Sequence, residues 1–294
     1  MKLAVLVVVW AAPVRAQAPL SAEMWRVATA TLAAPAALQG GPTGAFWNPA
    51  PQVSTGSTRV GIQILQTPDA LALSGILAGI SHQANGAVLV GAILGRVEVS
   101  DLVRTTASPL SELGSIPVYE QLAGVHVGVR LGALSAGGAL RGHESRFDAV
   151  RSTGATVDVG FRFAPSERMI IAGATHFFPV TFRADNTTDY YGALEYRTAE
   201  ISLWGYGTKV TTRYGASYRD PHGLEHSFGG GLLIADLLTV DGAVTREVAF
   251  GDAAWRPALQ IGLGLGRYSI AAARSNGLNG LGALYRFALD VVLQ

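Results

Sequence analysis

The sequence has no cysteine, little charge and no long apolar run after its first residues. With no cysteine among 294 residues, disulfide bonds and thiolate chemistry are excluded. Charged residues make up 15% of the chain, whereas soluble domains contain roughly 25%. Beyond the N-terminus, the longest apolar run covers residues 86–95, and a helix needs about 20 residues to cross a bilayer. The chain is therefore not expected to cross a membrane with helices.

The composition nevertheless resembles that of a membrane protein. Hydrophobic residues make up 49% of the chain, and its mean hydropathy is +0.30. Closed β-barrels are the other structure that satisfies every backbone hydrogen bond in lipid, and their apolar residues are dispersed in alternation. A secreted β-sandwich is the alternative, but it would carry more charge and more polar outward positions. A β-helix would need a fixed repeat, and the sequence has none.

The N-terminus has the parts of a secretory signal peptide. Lys2 supplies the positive charge, residues 3–12 form an apolar core, and residues 14–16 fit a small-x-small cleavage site. We predict Sec-type export and cleavage after residue 16; cleavage after Ala18 is the alternative. Export and a barrel-like composition together predict a location in the bacterial outer membrane.

The chain divides into three predicted regions: a signal peptide at 1–16, an N-terminal segment at 17–56 and a barrel at 57–294. Residues 21–38 have a helix-compatible composition, which Ser21 could cap. Pro35 either interrupts this helix or starts a second short one. Polar residues are too few for a solvated helix, so we expect this segment to pack inside something larger.

From Thr58 onward, apolar residues recur at every second position. In residues 118–131, Val125 and Val127 point one way, and His126 and Arg130 point the other. The same alternation recurs at 156–163, 209–219 and 285–294. A slip of one residue would move arginine and aspartate into lipid, so the register is well specified there. Residues 71–81 and 86–99 are apolar on both faces, so the alternation does not assign which face of these segments points inward.

The alternation predicts about fourteen strands, most at or above the ~9–11 residues that a tilted transmembrane strand needs. Twelve is the alternative if two weak strands are misassigned. The predicted strands are 57–66, 70–81, 86–99, 118–132, 134–146, 154–163, 168–179, 192–206, 209–219, 225–235, 238–249, 255–265, 267–274 and 281–293.

The links between these strands fall into a short and a long class. Bacterial barrels keep short turns at the periplasmic end, where we place the C-terminus, and longer loops outside. The predicted short links are 82–85, the region of 133, 164–167, 207–208, 236–237 and 266. The predicted outward links include 100–117, 147–153, 180–191 and 220–224. The two longest fall at the same end, which supports an even number of strands.

One stretch, residues 40–50, separates the Ala-rich segment from the strands; we call it the Asn-Pro-Ala element. Its two glycines can end a helix and adopt positive φ. Its second proline biases the preceding asparagine toward extended geometry. By these properties alone the element is a rigid turn with an aromatic anchor, or a plain linker. The candidate site residues of this element are Gly40, Gly41, Phe46, Trp47, Asn48, Pro49 and Ala50.

The order of signal peptide, Ala/Gly-rich segment, Trp-Asn-Pro-Ala and β-strands resembles the long-chain fatty-acid transporter (FadL-like) superfamily, with its PorV/PorQ-type members. The resemblance rests on residues 34–41, 45–50, 163–175 and 285–293. It implies a fourteen-stranded barrel in which the N-terminal segment is a plug and the Asn-Pro-Ala element part of a gate. This chain departs from the fatty-acid transporters in its shorter length, and in Pro51, which follows the element.

The two branches of that superfamily imply different roles. The transporter branch implies passage of hydrophobic small molecules across the outer membrane. The PorV branch implies an accessory role in protein secretion or surface attachment, with another envelope protein as partner. Outer-membrane lipid is an expected contact in both cases. The net charge of +1 gives no argument for a nucleic-acid partner, and none is expected.

Polar residues at predicted inward positions allow two interpretations. Arginines grouped with acidic residues could bind an anionic head group. Alternatively, these charges pair with one another and with the plug backbone and fill a narrow, polar interior. The inward candidates are Glu120, His126, Arg130, Arg141, His143, Asp158, Arg162, Arg286 and Asp290.

Catalysis, a cofactor and a metal site all lack support in the sequence. No Gly-x-Ser-x-Gly element is present. His222 and His226 are the closest histidine pair, but in an extended chain they would lie roughly 13 Å apart at ~3.3 Å per residue. The glycines of residues 262–266 alternate with leucines and precede no helix, unlike a dinucleotide-binding fingerprint. We therefore predict a barrel without enzymatic activity.

Overall fold

The computed structural model of the protein describes residues 22–50, 57–68, 72–103, 114–182, 187–203, 205–220, 222–249, 252–277 and 282–293. The predicted signal peptide, the candidate cap Ser21 and the departure at Pro51 lie outside these residues.

The N-terminal segment forms three short helical pieces. These are α1 (Ala22–Ala30), a 3₁₀ turn (Ala36–Leu38) and α2 (Gly41–Gly44). Pro35 immediately precedes the 3₁₀ turn, which confirms that a second short helix begins there. Gly41 has a φ of +76°, so the glycine pair supplies the predicted positive φ at the bend before α2. Among the described residues, no helix is long and apolar enough to cross a membrane.

The rest of the described chain forms one antiparallel sheet in which each strand pairs with its neighbours in sequence. Its strands are β1 (Thr58–Gln66), β2 (Leu73–Asn85), β3 (Val88–Val99), β4 (Val118–Leu131), β5 (Leu134–Phe147), β6 (Val150–Ser166), β7 (Met169–Pro179), β8 (Asp189–Arg197), β9 (Ile201–Leu203), β10 (Tyr206–Arg219), β11 (Gly223–Ile234), β12 (Leu238–Ala249), β13 (Asp252–Leu265), β14 (Tyr268–Asn276) and β15 (Ala283–Leu293).

The sheet closes into a barrel because the first strand pairs with the last. Thr58 lies opposite Leu293, and Gln66 lies opposite Tyr285. β8 and β9 lie end to end along the same edge of β10, so together they make one interrupted barrel strand. The result is a closed barrel of fourteen strands.

Four predicted links are wrong, and hairpin pairing explains each. The link predicted at 164–167 largely overlaps β6, because β6 and β7 pair up to Ser166 and Met169 and the turn lies at residues 167–168. Residues 207–208 belong to β10, since Thr208 pairs with Ile201, and the hairpin turns at Gly205, whose φ is +84°. The link predicted at 147–153 is a turn at residues 148–149, because β5 and β6 pair up to Phe147 and Val150. The link predicted at 82–85 lies inside β2, and the chain turns into β3 at residues 86–87. The two longest links, after β3 and after β7, do fall at the end opposite the C-terminus.

The wall of the barrel is apolar outside and largely polar inside. On β4, Val125 is 61% exposed, whereas His126 is 5% exposed, as the alternation predicted. The facing predicted for 156–163 and 209–219, and for residues 285–293 of the segment 285–294, is confirmed in the same way. An exposed apolar face around a buried polar interior inverts the soluble pattern and is typical of transmembrane barrels.

The strands β2 and β3 depart from this rule because they are largely apolar on both faces. Leu77, Ile93 and Val97 point inward and are almost completely buried, while Ile76 and Leu94 point outward and are exposed. The inward side chains belong to one core cluster with aromatic residues of the N-terminal segment. The sequence left the facing of β2 and β3 open because their inner face packs on another part of the chain.

Candidate functional site

Residues 22–50, hereafter the plug, lie inside the barrel. α2 contacts β1, β2 and β3, the 3₁₀ turn contacts β7 and β8, and α1 contacts β3 and β15. Trp25, Phe46 and Trp47 are each at most 1% exposed. The plug therefore reaches opposite sides of the inner wall, and its contacts with the wall form the candidate site.

Phe46 is the centre of the plug's aromatic cluster. Its ring lies 4.9 Å from that of Trp25 and 5.0 Å from that of Trp47, measured between centroids. On the wall side it lies 4.7 Å from His176 and 5.8 Å from Phe177 on β7. Edge and tilted contacts of this kind add to the gain from burial. The predicted aromatic anchor thus holds the plug against β7.

Asn48 fastens the Asn-Pro-Ala element to both the plug and the wall. Its amide nitrogen donates to the carbonyl of Ala37 at 2.7 Å and to that of Phe161 on β6 at 3.3 Å. Its side-chain oxygen accepts from the backbone N–H of Ala50 at 2.9 Å, which closes an Asx turn around Pro49. One buried side chain therefore joins the 3₁₀ turn, the element and the barrel.

Glycines in the wall make room for this element. A Cβ built on Gly160 of β6 would collide with the side-chain oxygen of Asn48, and one on Gly137 of β5 would collide with the carbonyl of Pro49. A Cβ on Gly79 of β2 would lie 2.7 Å from the carbonyl oxygen of Pro42. The plug thus approaches the wall backbone closely at three strands, which only glycine permits.

Three arginines of the wall donate to carbonyl groups that follow the helical pieces of the plug. Arg256 on β13 donates to Ala30 at the end of α1. Arg162 on β6 donates to Gln39 after the 3₁₀ turn at 2.9 Å. Arg141 on β5 donates to the carbonyls of residues 45 and 46, which follow α2, each at 2.8 Å. The last carbonyls of a helix lack intrahelical partners and carry partial negative charge, so each cation stabilises one helix end.

Arg141 is also part of a fully buried ionic cluster. Its guanidinium lies 2.6 Å from the carboxylate of Asp158, and neither side chain is exposed. His176 Nδ1 lies 2.7 Å from the same carboxylate, whose other oxygen accepts from the backbone of Phe177 at 2.9 Å. The pairing of β6 with β7 shifts at Asp158, and this bulge leaves the aspartate free to reach both residues.

Three other predicted inward residues have partners or neighbours outside this cluster. His143 is buried with Nε2 2.7 Å from Thr156 and Nδ1 3.6 Å from Glu120. Arg286 is buried and donates to Gln260. Asp290 is half-buried and lies against the two glycines 41 and 61.

Two predicted inward residues have different surroundings. His126 is buried, and neither of its ring nitrogens has a partner within the described part of the chain. Arg130 is exposed at the mouth on the short-turn side, where its Nε donates to the carbonyl of Gly132 at 3.1 Å. Arg130 thus has the predicted facing but lies outside the buried cluster.

A second ionic chain crosses the opposite wall and was missed from the sequence. Glu195 on β8 accepts from Arg197 and from Arg213 on β10, each at 2.7 Å. Arg213 lies 2.6 Å from Asp241 on β12, whose other oxygen lies 3.5 Å from Gln260. The alternation of residues 209–219 places Arg213 inward, so the facing of its side chain could be predicted. Its ion-pair partners could not, because they lie on strands that are distant in the sequence.

The long-loop side of the interior holds further ion pairs that the sequence did not reveal. Arg26 of the plug lies 3.2 Å from Glu225 on β11. Asp189 on β8 is paired with Arg219 on β10 and accepts from the hydroxyl of Tyr191 at 2.9 Å. These charges are mutually compensated, as the second interpretation of the inward candidates predicted for such an interior.

Small cavities separate the plug from the wall. They measure about 30, 40 and 60 Å³, and His126 lines the smallest of them. A water molecule occupies about 30 Å³, whereas ligand pockets measure about 300–1,000 Å³. With the plug in place, these cavities have room for water but not for a small organic ligand.

No protein-family model matches the chain, and no curated protein matches it. Among solved structures, the chain is similar to a multiply substituted variant of the Rh. blastica porin, with a TM-score of 0.45 and 8% identity over 81% of this chain and 99% of that chain. It is also similar to the Acinetobacter baumannii outer membrane protein Omp33, with a TM-score of 0.45 and 10% identity over 82% of this chain and 100% of that chain. Neither similarity identifies a family for this chain.

The described residues contain no group of three or more histidine, aspartate or glutamate side chains arranged to hold a metal ion. The histidines at 222 and 226, considered as a pair in the sequence, lie on either side of the start of β11. His226 contacts the hydroxyl of Tyr214 on β10 instead, at 2.8 Å. What the site offers chemically is recognition of the plug by arginines, glycines and aromatic rings.

Proposed function

We propose that the chain is exported to the bacterial outer membrane and works there as a plugged barrel that binds or passes hydrophobic small molecules. The apolar outer wall and the closed sheet support the membrane location, because such a barrel satisfies its backbone hydrogen bonds in lipid. The FadL-like resemblance of the Asn-Pro-Ala element adds support for the ligand class. No catalytic role is proposed.

The aliphatic inner wall of β2 and β3 is the observation that carries this proposal. Leu77, Ile93 and Val97 face the interior and are at most 2% exposed. Porin interiors are polar because water fills them. An aliphatic track along one side of the interior is therefore suited to an apolar molecule once the plug residues that cover it move aside.

The plug would have to shift locally for a ligand to reach this track. Trp25 packs on the inner wall at Gly95, and Phe46 lies beside it in the same core cluster. The bend at Gly40 and Gly41 separates the 3₁₀ turn from α2. In this mechanism the bend acts as the hinge, and the Asn48 contacts hold the remainder of the element to β6.

Uptake of a hydrophobic fluorescent probe by intact cells tests the proposal. The wall variant is Val97→Thr, which changes polarity at nearly constant volume on the inner face. The matched control is Val125→Thr on the outer face of β4. If ligands follow the aliphatic track, the first variant slows uptake several-fold while the control transports like wild type. Equal uptake by cells with and without the protein would overturn the proposal.

A second candidate function is a scaffold for another envelope protein. It is favoured by apolar side chains exposed at the long-loop end of the barrel. Val103, Phe147, Val150 and Phe182 are 66%, 58%, 62% and 78% exposed, and all lie on links or at strand ends on that side. Exposed apolar groups gathered on one surface commonly mark an interaction site.

Native mass spectrometry of protein extracted from its own membrane separates the two functions. A transporter is expected to carry a hydrophobic molecule of low mass that Val97→Thr loses. A scaffold is expected to retain a protein partner that a Phe147→Ser, Phe182→Ser double variant loses while its barrel stays folded.

N-terminal sequencing of the same sample tests the cleavage after Ala16, since the mature chain should begin at Gln17.

A further inference from the structure

A cavity of about 430 Å³ opens at the short-turn end of the barrel, apart from the plug's aromatic cluster. The turn between β4 and β5 lines it through Gly132, and the turn between β6 and β7 lines it through Glu167. This volume falls in the range of small-molecule sites, which is about 300–1,000 Å³. The cavity is thus large enough for a ligand while the plug stays in place.

Three arginines line this cavity: Arg130, Arg162 and Arg197. Glu167 is the acidic residue among the lining side chains. Arg197 is engaged by Glu195, but Arg130 is bonded only to a backbone carbonyl in the described contacts. The cavity therefore carries an excess of positive charge.

The strand register places two of these arginines symmetrically. Arg130 on β4 lies opposite Ser135 on β5, and Ser135 lies opposite Arg162 on β6. With strands about 4.8 Å apart, the two arginine backbones lie about 10 Å apart with a serine hydroxyl between them. An oxyanion placed over the serine would accept charge-assisted hydrogen bonds from both guanidinium groups.

Arg162 supplies a second, independent observation. The residue is 6% exposed, and its Nη2 donates to the plug carbonyl of Gln39. Its Nε has no hydrogen-bond partner among the described residues. A buried charged donor without a partner costs free energy that an anion in the adjoining cavity would recover.

We infer that this cavity is a binding site for a small organic oxyanion, such as a monophosphate ester with a short apolar group. The arginines and Ser135 bind the charged head, and Ile170 with the neighbouring alanines lines the apolar part. The inference does not depend on the proposed function, since the cavity is open with the plug bound.

Isothermal titration of the full, detergent-purified chain with phenyl phosphate tests the site. Inorganic phosphate is the second probe, and sodium chloride at matched ionic strength is the reference. We expect saturable binding that is tighter for phenyl phosphate. Arg130→Gln should weaken it by on the order of tenfold, because a charge-assisted bond is lost. Arg130 does not contact the plug, so this variant is expected to fold.

Two comparisons make the outcome decisive. Arg96→Gln removes an arginine from the outer wall, where it pairs with Glu98 at 2.8 Å, and it should bind like wild type. Arg130→Lys should bind with intermediate affinity, because a lysine keeps the charge but not the paired donors. Absence of saturable binding, equal binding by Arg130→Gln, or equal competition by chloride would each overturn the inference.

Discussion

Arg141 and Asp158 form an ion pair at 2.6 Å inside the barrel, with neither side chain exposed to solvent. The same guanidinium donates to two carbonyl groups of the plug. The pair therefore links the stability of the wall to the position of the plug. A buried pair is costly to break because the remaining charge has no compensation.

Arg141→Met should lower the free energy of unfolding by about 3–5 kcal/mol, since Asp158 would keep a buried charge without its partner. Asp158→Leu should be destabilising to a similar degree for the complementary reason. Unfolding in urea, followed by tryptophan fluorescence of the refolded barrel, measures both changes.

The double variant Arg141→Met, Asp158→Leu provides the control for that prediction. Because it leaves no lone charge, its loss of stability should be clearly smaller than the sum of the two single losses. Additive losses would show that the two side chains act independently.

The alternation of the strands made much of the barrel predictable. On β4, His126 and Val127 differ in polarity, so the pleat alone tells which one faces inward. On β2 and β3 no such contrast exists, because inward Leu77 packs on the plug and Ile76, which is also apolar, lies exposed on the outer face. Facing could be predicted only where the two environments differ in polarity.

The sequence predicted the plug residues of the candidate site and the inward facing of Arg141 and Asp158, but not the contacts that these residues make. Asn48 stands out because of its position beside a proline, but its partner Phe161 is 113 residues away and depends on the register of β6. His176 was not recognised as part of the cluster because a bulge, rather than regular pairing, brings it to Asp158. Arg130 and Arg162, which line the cavity at the short-turn end, are likewise brought together only by the register of β4, β5 and β6.

Asn48→Ala should loosen the plug while leaving the barrel closed. The substitution removes donors to the carbonyls of Ala37 and Phe161 and the acceptor for Ala50. Buried groups left without partners cost about 1–3 kcal/mol. Hydrogen exchange of residues 36–50 should therefore become faster, with the strands unaffected.

Asn276→Ala is the matched control for that experiment. This asparagine is exposed near the end of β14, so its removal should not alter exchange in the plug. Faster exchange in the strands as well as in the plug of Asn48→Ala would mean that Asn48 supports the whole barrel rather than the plug.

Gly160→Ala should displace the Asn-Pro-Ala element, because the new Cβ would collide with the Asn48 side chain. We expect new protease cleavage within residues 36–50 and a loss of stability of about 1–3 kcal/mol. Gly154→Ala on the same strand is the control, since its Cβ would meet no described atom within 4 Å. Similar cleavage in both variants would mean that the effect comes from the strand and not from contact with Asn48.

The proposed placement of the wall in a membrane can be tested with two equally exposed valines. Val125 lies near the middle of β4 and is 61% exposed, and Val150 starts β6 at the long-loop end and is 62% exposed. Arginine on the lipid face costs about 2–4 kcal/mol at the bilayer midplane and about 0–1 kcal/mol near its surface. Val125→Arg should therefore destabilise the barrel in lipid vesicles far more than Val150→Arg, as measured by guanidinium unfolding. Equal effects would contradict the transmembrane placement, because exposed positions of a soluble barrel would tolerate both arginines alike.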